Sequence, residues 1–151
     1  MRIRRATAAD AATIAAYNAA MARETENLEL DAERLLKGVN AVLGDPSKGQ
    51  YWLAEVSGEV AGQLMLTFEW SDWRNGCFWW IQSVYVNPAH RAKGVYRALY
   101  AHVLELARAD SGVCGLRLYV DEHNAKAQGV YRRQGMRRTA YLIYETDFVL
   151  K

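Results

Sequence analysis

A chain of 151 residues with 51% apolar and 24% charged residues is long enough to build one domain around its own core, and its composition is far from that of a disordered segment. A net charge of +2 excludes the strongly basic face of a general nucleic-acid binder, and two cysteines without CxxC spacing, Cys77 and Cys114, exclude a disulfide framework or a cysteine zinc site. The N-terminal stretch MRIRRATAADAATIAAY has no uninterrupted apolar core, and no run of about 20 apolar residues occurs, so neither export nor a membrane span is expected and a reducing cytoplasm fits.

Ile3 to Ala6 reads as a short strand, and Thr7-Ala-Ala-Asp10 follows it with a capping-box pattern that predicts a helix to about Ala22. Glu24 to Glu29 reads as a polar loop. Asp31 then caps a second helix with Leu35, Leu36, Val39 and Val42 on one side, stopped by Gly44-Asp45-Pro46. From Gln50 the period changes to that of strands. YWLAEV, a tight Ser57-Gly58 turn and VAGQLMLTFEW come first, and Asn75-Gly76 joins them to CFWWIQSVYV as an antiparallel meander.

After Asn87-Pro88 the period is helical, with Val95, Ala98, Leu99, His102, Val103 and Leu106 on one face, which predicts a helix from about Gly94 to Ala109. His102 reads as a satisfied core histidine. Cys114 to Val120 is another strand, Asn124 caps a short helix closed by Gly135, and Tyr141 to Leu150 reads as a final strand. The predicted fold class is α+β, or mixed α/β. It has three layers, with a strand–helix–strand unit inside a mostly antiparallel sheet, in a single domain spanning residues 1–151.

The stretch SVYVNPAHRAKGVYRAL leads a strand through a glycine-centred turn into a helix. Gly94 has no Cβ to block close approach, and the first-turn N–H groups with the helix dipole behind them favour an anion. Arg91 and Lys93 add positive charge. By itself this supports only a phosphate site.

Downstream, Asn124-x-x-Ala127-x-x-x-Tyr131-x-x-x-Gly135-Met136 completes a pattern. Together with Arg91-Ala-Lys-Gly94-Val-Tyr96, it resembles the GNAT superfamily of N-acetyltransferases over nearly the whole chain. The resemblance implies that the anion is the pyrophosphate of acetyl-coenzyme A, held by the loop amides of Arg91, Ala92, Lys93, Gly94, Val95 and Tyr96. It implies that Val84, Tyr85 and Val86 offer backbone groups to the pantetheine arm, and that Asn124 contacts the same arm besides capping its helix. It gives Tyr131, a core aromatic by composition alone, the role of general acid toward the coenzyme sulfur; a phenol of pKa about 10 stays protonated at pH 7 and can donate to a departing thiolate. Tyr96 departs from the pattern, since the family has a second small residue there.

The attacking amine must be neutral, and at a lysine-like pKa about one in 2,500 is neutral at pH 7, a cost of roughly 4.6 kcal/mol. Many family members place a carboxylate on the strand before the loop to take that proton. Here no Asp or Glu occurs from Cys77 to Ala101. Glu69 on the preceding strand is the leading candidate base, with Glu24, Glu26, Glu145 or a water chain as alternatives. Trp70 and Trp73, with Glu24 and Glu26, suit a cationic acceptor by ring-face and charge contact. The activity expected is therefore acetyl transfer from acetyl-CoA to a primary amine of a small molecule or peptide, by direct attack in a ternary complex. A non-catalytic acyl-CoA binding or sensing module is the rival reading. No metal, nucleic acid or membrane partner is expected, and the apolar C-terminal strand suits a homodimer.

Overall fold

A computed structural model describes residues 1–150. It falls into two compact units, one of Met1–Leu118 and a second from Tyr119 onward.

In the first unit, β1 (Arg2–Arg5) leads through a short 3-10 turn into α1 (Ala11–Glu26). The predicted capping interaction forms, with the Thr7 backbone N–H donating to Asp10 Oδ2 at 2.7 Å. Arg4 clamps the same carboxylate with two bonds of 2.8 Å and reaches Glu55 at 2.6 Å, so the start of α1 is pinned to the first two strands. α1 runs past Ala22 and stops only where Asn27 turns left-handed, φ 50°. Glu24 and Glu26 are therefore the last helical turn rather than a loop. α2 (Ala32–Gly44) is capped by Asp31, whose carboxylate accepts from the Arg34 N–H at 2.7 Å.

β2 (Gln50–Val56), β3 (Glu59–Ser71) and β4 (Gly76–Val86) form the expected meander. Ser57 and Gly58, both at positive φ, make the first turn, and Asn75 at φ 47° precedes β4. α3 (Val95–Ala109) returns the chain to β5 (Val113–Arg117), which lies parallel to β4. Among the described residues the sheet has the order β1-β2-β3-β4-β5 with only this last pair parallel. Cys77 and Cys114, distant in sequence, thus lie on neighbouring strands as free thiols.

Neighbours on β3 point to opposite faces, which fixes the layering of this unit. A Cβ on Gly62 would sit 2.8 Å from Val95 of α3, whereas Gln63 bonds Asn18 of α1. Ala11, Ile14, Val39, Tyr51 and Leu53 fill the α1–α2 side, and Val95, Leu99, Val103 and Ala107 bury the face of α3. His102 is packed rather than satisfied: its ring lies 4.7 Å from that of Trp52, and its Nε2 is buried without a hydrogen-bond partner.

In the second unit Asn124 caps α4 (Ala125–Arg133) by accepting from the Ala127 N–H at 3.0 Å. Gly135, at φ 86°, ends it with Met136 N–H to Tyr131 carbonyl and Gly135 N–H to Arg132 carbonyl, a Schellman arrangement. The final strand expected from Tyr141 to Leu150 is not formed. Asp147 instead accepts from the Val149 and Leu150 N–H groups at 2.7 and 2.8 Å, which turns the chain. Apolar and aromatic residues favour a strand only beside a partner strand, and local side-chain bonds compete for the same N–H groups.

Candidate active site

The loop between β4 and α3 is built for close backbone approach. Asn87 caps the short turn at Pro88–His90 by accepting from the Ala89 N–H at 3.0 Å, which ends β4 cleanly. Ala92 and Gly94 then adopt left-handed conformations, φ 61° and 79°, and Gly94 becomes the N-cap of α3. A Cβ built on Gly94 meets nothing within 4 Å, so the space over the helix start is open. First-turn N–H groups have no intrahelical acceptor and carry the positive end of the helix dipole. The loop thus fits a pyrophosphate, and its exposed cations are Arg91 and Lys93. Tyr96 does not fill this space: its ring lies along the helix, 6.2 Å from that of Tyr100.

Arg91 is held in place rather than loose in solvent. Its Nε donates to the Val86 carbonyl at 2.9 Å, its Nη2 to Glu24 Oε2 at 2.7 Å, and its guanidinium stands 5.4 Å from the Tyr85 ring centroid. The other Glu24 oxygen accepts from the Tyr85 hydroxyl at 2.9 Å. Arg91, and after it the Tyr85 hydroxyl, hold the Glu24 carboxyl below the usual carboxylate range, while burial and then Glu24 raise the Tyr85 phenol. Tyr17 packs against Tyr85 with ring centroids 5.0 Å apart and the rings tilted by 46°, donates to the Val60 carbonyl and accepts from Asn87. The end of α1 is therefore fastened to the end of β4 and to the loop, and Glu24, Tyr85, Val86 and Arg91 form one contact network.

The other candidates lie elsewhere. Glu69 pairs with Arg117 at 2.7 Å and accepts from the Trp80 indole at 3.3 Å, both through Oε1. Trp70 and Trp73 are exposed at the β3–β4 hairpin. Trp70 pairs with Cys77, at the far end of β4 from Val86, about 30 Å away at the rise of a strand. A small amine therefore cannot touch both these tryptophans and Glu24. Glu26 is exposed at the end of α1. Asn124 and Tyr131 belong to α4 in the second unit, where burial pushes the Tyr131 phenol up and so keeps it protonated at neutral pH. Glu145 lies in the strandless segment that follows.

Reading the sequence alone misses Asn18, Gln63 and the backbone at Ser83, which sits at φ 50° in the middle of β4. The one available signal was a glutamine inside the otherwise apolar run AGQLML.

Among the described residues no group of three or more His, Cys, Asp or Glu side chains is placed to hold a metal ion, and no helix is long and apolar enough to cross a membrane. Comparison with curated proteins gives no match. Among solved structures, a possible acetyltransferase from Clostridium difficile 630 superimposes with a TM-score of 0.91 at 42% identity, covering 98% of this chain and 97% of that one. A ribosomal-protein-alanine N-acetyltransferase from Brucella melitensis biovar Abortus 2308 shares the fold at a TM-score of 0.78 and 19% identity, covering 98% and 100%. So does a Clostridium acetobutylicum protein solved with acetyl-CoA, at 0.77 and 16%, covering 96% and 95%. The acetyltransferase (GNAT) family profile matches residues 12–136, which take in both the glycine loop and the Asn124–Met136 pattern, and on this match the chain belongs to the GNAT family of acetyltransferases.

Proposed function

We propose that this chain transfers the acetyl group of acetyl-CoA to a primary amine of a small molecule or peptide, by direct attack in a ternary complex. The observation that carries the reading is the open, left-handed loop at Ala92 and Gly94 feeding the N-terminus of α3. The amides from Arg91 to Tyr96 would hold the pyrophosphate, and Val84, Tyr85 and Val86 would present backbone groups to the pantetheine arm, with Asn124 contacting it from α4. When bound, acetyl-CoA supplies an activated thioester carbonyl and a thiolate leaving group.

Tyr131 donates its hydroxyl proton to the departing sulfur as the new C–N bond replaces the C–S bond. Its raised pKa fits a group that must enter the reaction protonated. Glu69 is the carboxylate we assign to the amine proton, reached through water, since β4 carries none. Glu26, exposed at the end of α1 just beyond the Arg91-paired Glu24, gives the acceptor side a negative charge that suits an ammonium or peptide N-terminus. The N-acyl choice has support from the Brucella enzyme, an alanine N-acetyltransferase of the same fold. We place the chain in the cytoplasm, working as one acetyltransferase domain with neither nucleic acid nor membrane as partner, and as a homodimer through its apolar C-terminal run.

The second reading is a non-catalytic acyl-CoA binding module. It is favoured by the pairing of both Glu24 and Glu69 with arginines. Thiol release from acetyl-CoA in the presence of polyamines, amino acids, aminoglycosides and peptide N-termini separates the two. The enzyme reading predicts amine-dependent release that falls at least tenfold in Tyr131→Phe with little change in acetyl-CoA affinity. Tight acetyl-CoA binding without release on any amine favours the module.

A further inference from the structure

β4 does not run straight into the loop. Gln63 pairs with Tyr85 and Met65 with Gln82, so the single residue Leu64 of β3 faces two residues of β4, Ser83 and Val84. This is a β-bulge, and Ser83 makes it by adopting a left-handed conformation that non-glycine residues rarely take. Such a conformation persists only where its surroundings impose it.

Gln63 supplies that constraint. Its side chain is wholly buried at 0% exposure, and Nε2 donates to the Ser83 carbonyl at 3.2 Å and to Asn18 Oδ1 at 2.8 Å. A carbonyl oxygen can only accept, so the amide nitrogen must face Ser83. Asn18 is fixed in turn by the Tyr51 hydroxyl at 3.0 Å. A chain of buried polar groups thus runs from β2 through α1 and β3 to the bulge. Gln63 Oε1 is buried with no hydrogen-bond partner. An apolar residue would pack there without that penalty, so packing alone does not account for the glutamine.

The bulge stands at the start of the segment that matters for the coenzyme. Pairing with β5 ends at Trp80, so beyond it the far edge of β4, which includes Val84, Tyr85 and Val86, is unpaired among the described residues. We propose that Gln63 is a positioning residue for acetyl-CoA: its amide, braced by Asn18 and Tyr51, holds the Ser83 bulge that presents this open edge to the pantetheine and thioester end. The proposal rests on the acetyl-CoA reading above.

Calorimetry with two probes tests it. Acetyl-CoA reports the whole site, and 3′-phosphoadenosine 5′-diphosphate reports only the nucleotide and pyrophosphate end. Gln63→Met, which keeps the volume and removes both donors, should weaken acetyl-CoA binding at least tenfold while the nucleotide probe stays within twofold of wild type. If Gln63→Met does not fold, Asn18→Ala, which removes only the brace, should give a smaller loss in the same pattern. Equal losses for both probes would mean general loosening and overturn the proposal, as would no loss for either. A wild-type protein that binds the nucleotide probe but gains nothing from the acetyl-pantetheine arm also overturns it. Failure of wild type to bind either probe removes the acetyl-CoA reading itself.

Discussion

Replacing Gly94 by alanine separates the cost of backbone strain from the cost of blocking a ligand. Gly94 stands at φ 79° with no atom within 4 Å of a built Cβ, so the methyl group clashes with nothing in the protein. What remains is the penalty for an L-residue in the left-handed region, about 1 kcal/mol, or a fall in Tm of about 2–4 °C for a chain of this size. The same methyl group occupies the space over the first turn of α3 and keeps a pyrophosphate from at least one N–H donor. A hydrogen bond to a charged group contributes about 1.5–3 kcal/mol, so acetyl-CoA affinity should fall about 10- to 150-fold. Calorimetry gives the Kd, and melting with and without acetyl-CoA gives an independent reading, because saturating ligand at about 100 times Kd adds about 2.7 kcal/mol to the wild type. A Gly94→Ala protein that loses the expected stability yet binds acetyl-CoA within twofold of wild type would refute the placement of the anion at this loop.

Other perturbations probe the scaffold and the acid–base assignment. Asp10→Ala removes three bonds of 2.7–2.8 Å and leaves Arg4 with Glu55 as its remaining carboxylate partner, which should cost about 2–3 kcal/mol in urea unfolding at pH 7. The pH dependence has a definite sign. Arg4, and after it the Thr7 backbone, lower the Asp10 pKa on folding, so this stability is present above the unfolded value of about 3.9 and is lost as pH falls through the lower folded value. The gap between wild type and Asp10→Ala should therefore be constant above about pH 5 and close below about pH 4; a gap that widens on acidification contradicts the role of Arg4. Gly62→Ala brings a Cβ to 2.8 Å from Val95 and 3.0 Å from the Tyr85 carbonyl, and should cost about 1–3 kcal/mol by pushing α3 off the sheet, as thermal melting will register. Glu69→Gln should lower turnover at least tenfold with the same amine; an unchanged turnover would assign the amine proton to water alone.

Most of the elements were legible because their signals are local. Thr7 to Asp10, Asp31, Ser57-Gly58 and Asn124 to Gly135 each form the cap or turn that their chemistry prescribes. The loop from Arg91 to Tyr96 was legible for the same reason, since a glycine before a helix states a backbone need. What was not legible depends on partners distant in sequence. Glu24 read as part of a solvated loop, but Arg91 and Tyr85 claim its carboxylate. The bulge at Ser83 has no local cause, because Gln63, Asn18 and Tyr51 impose it from three other elements. The β-branched and aromatic residues from Tyr141 to Leu150 describe a strand only where a neighbouring strand pairs with them.

The most direct test of the account is release of free CoA thiol from acetyl-CoA, followed against the amine panel, with the acetylated amine identified by mass. The account predicts that at least one primary amine releases thiol in equal amount to an N-acetyl product, and that Tyr131→Phe slows this while still binding acetyl-CoA. Saturable acetyl-CoA binding with neither thiol release nor acetylated product on any amine would contradict it.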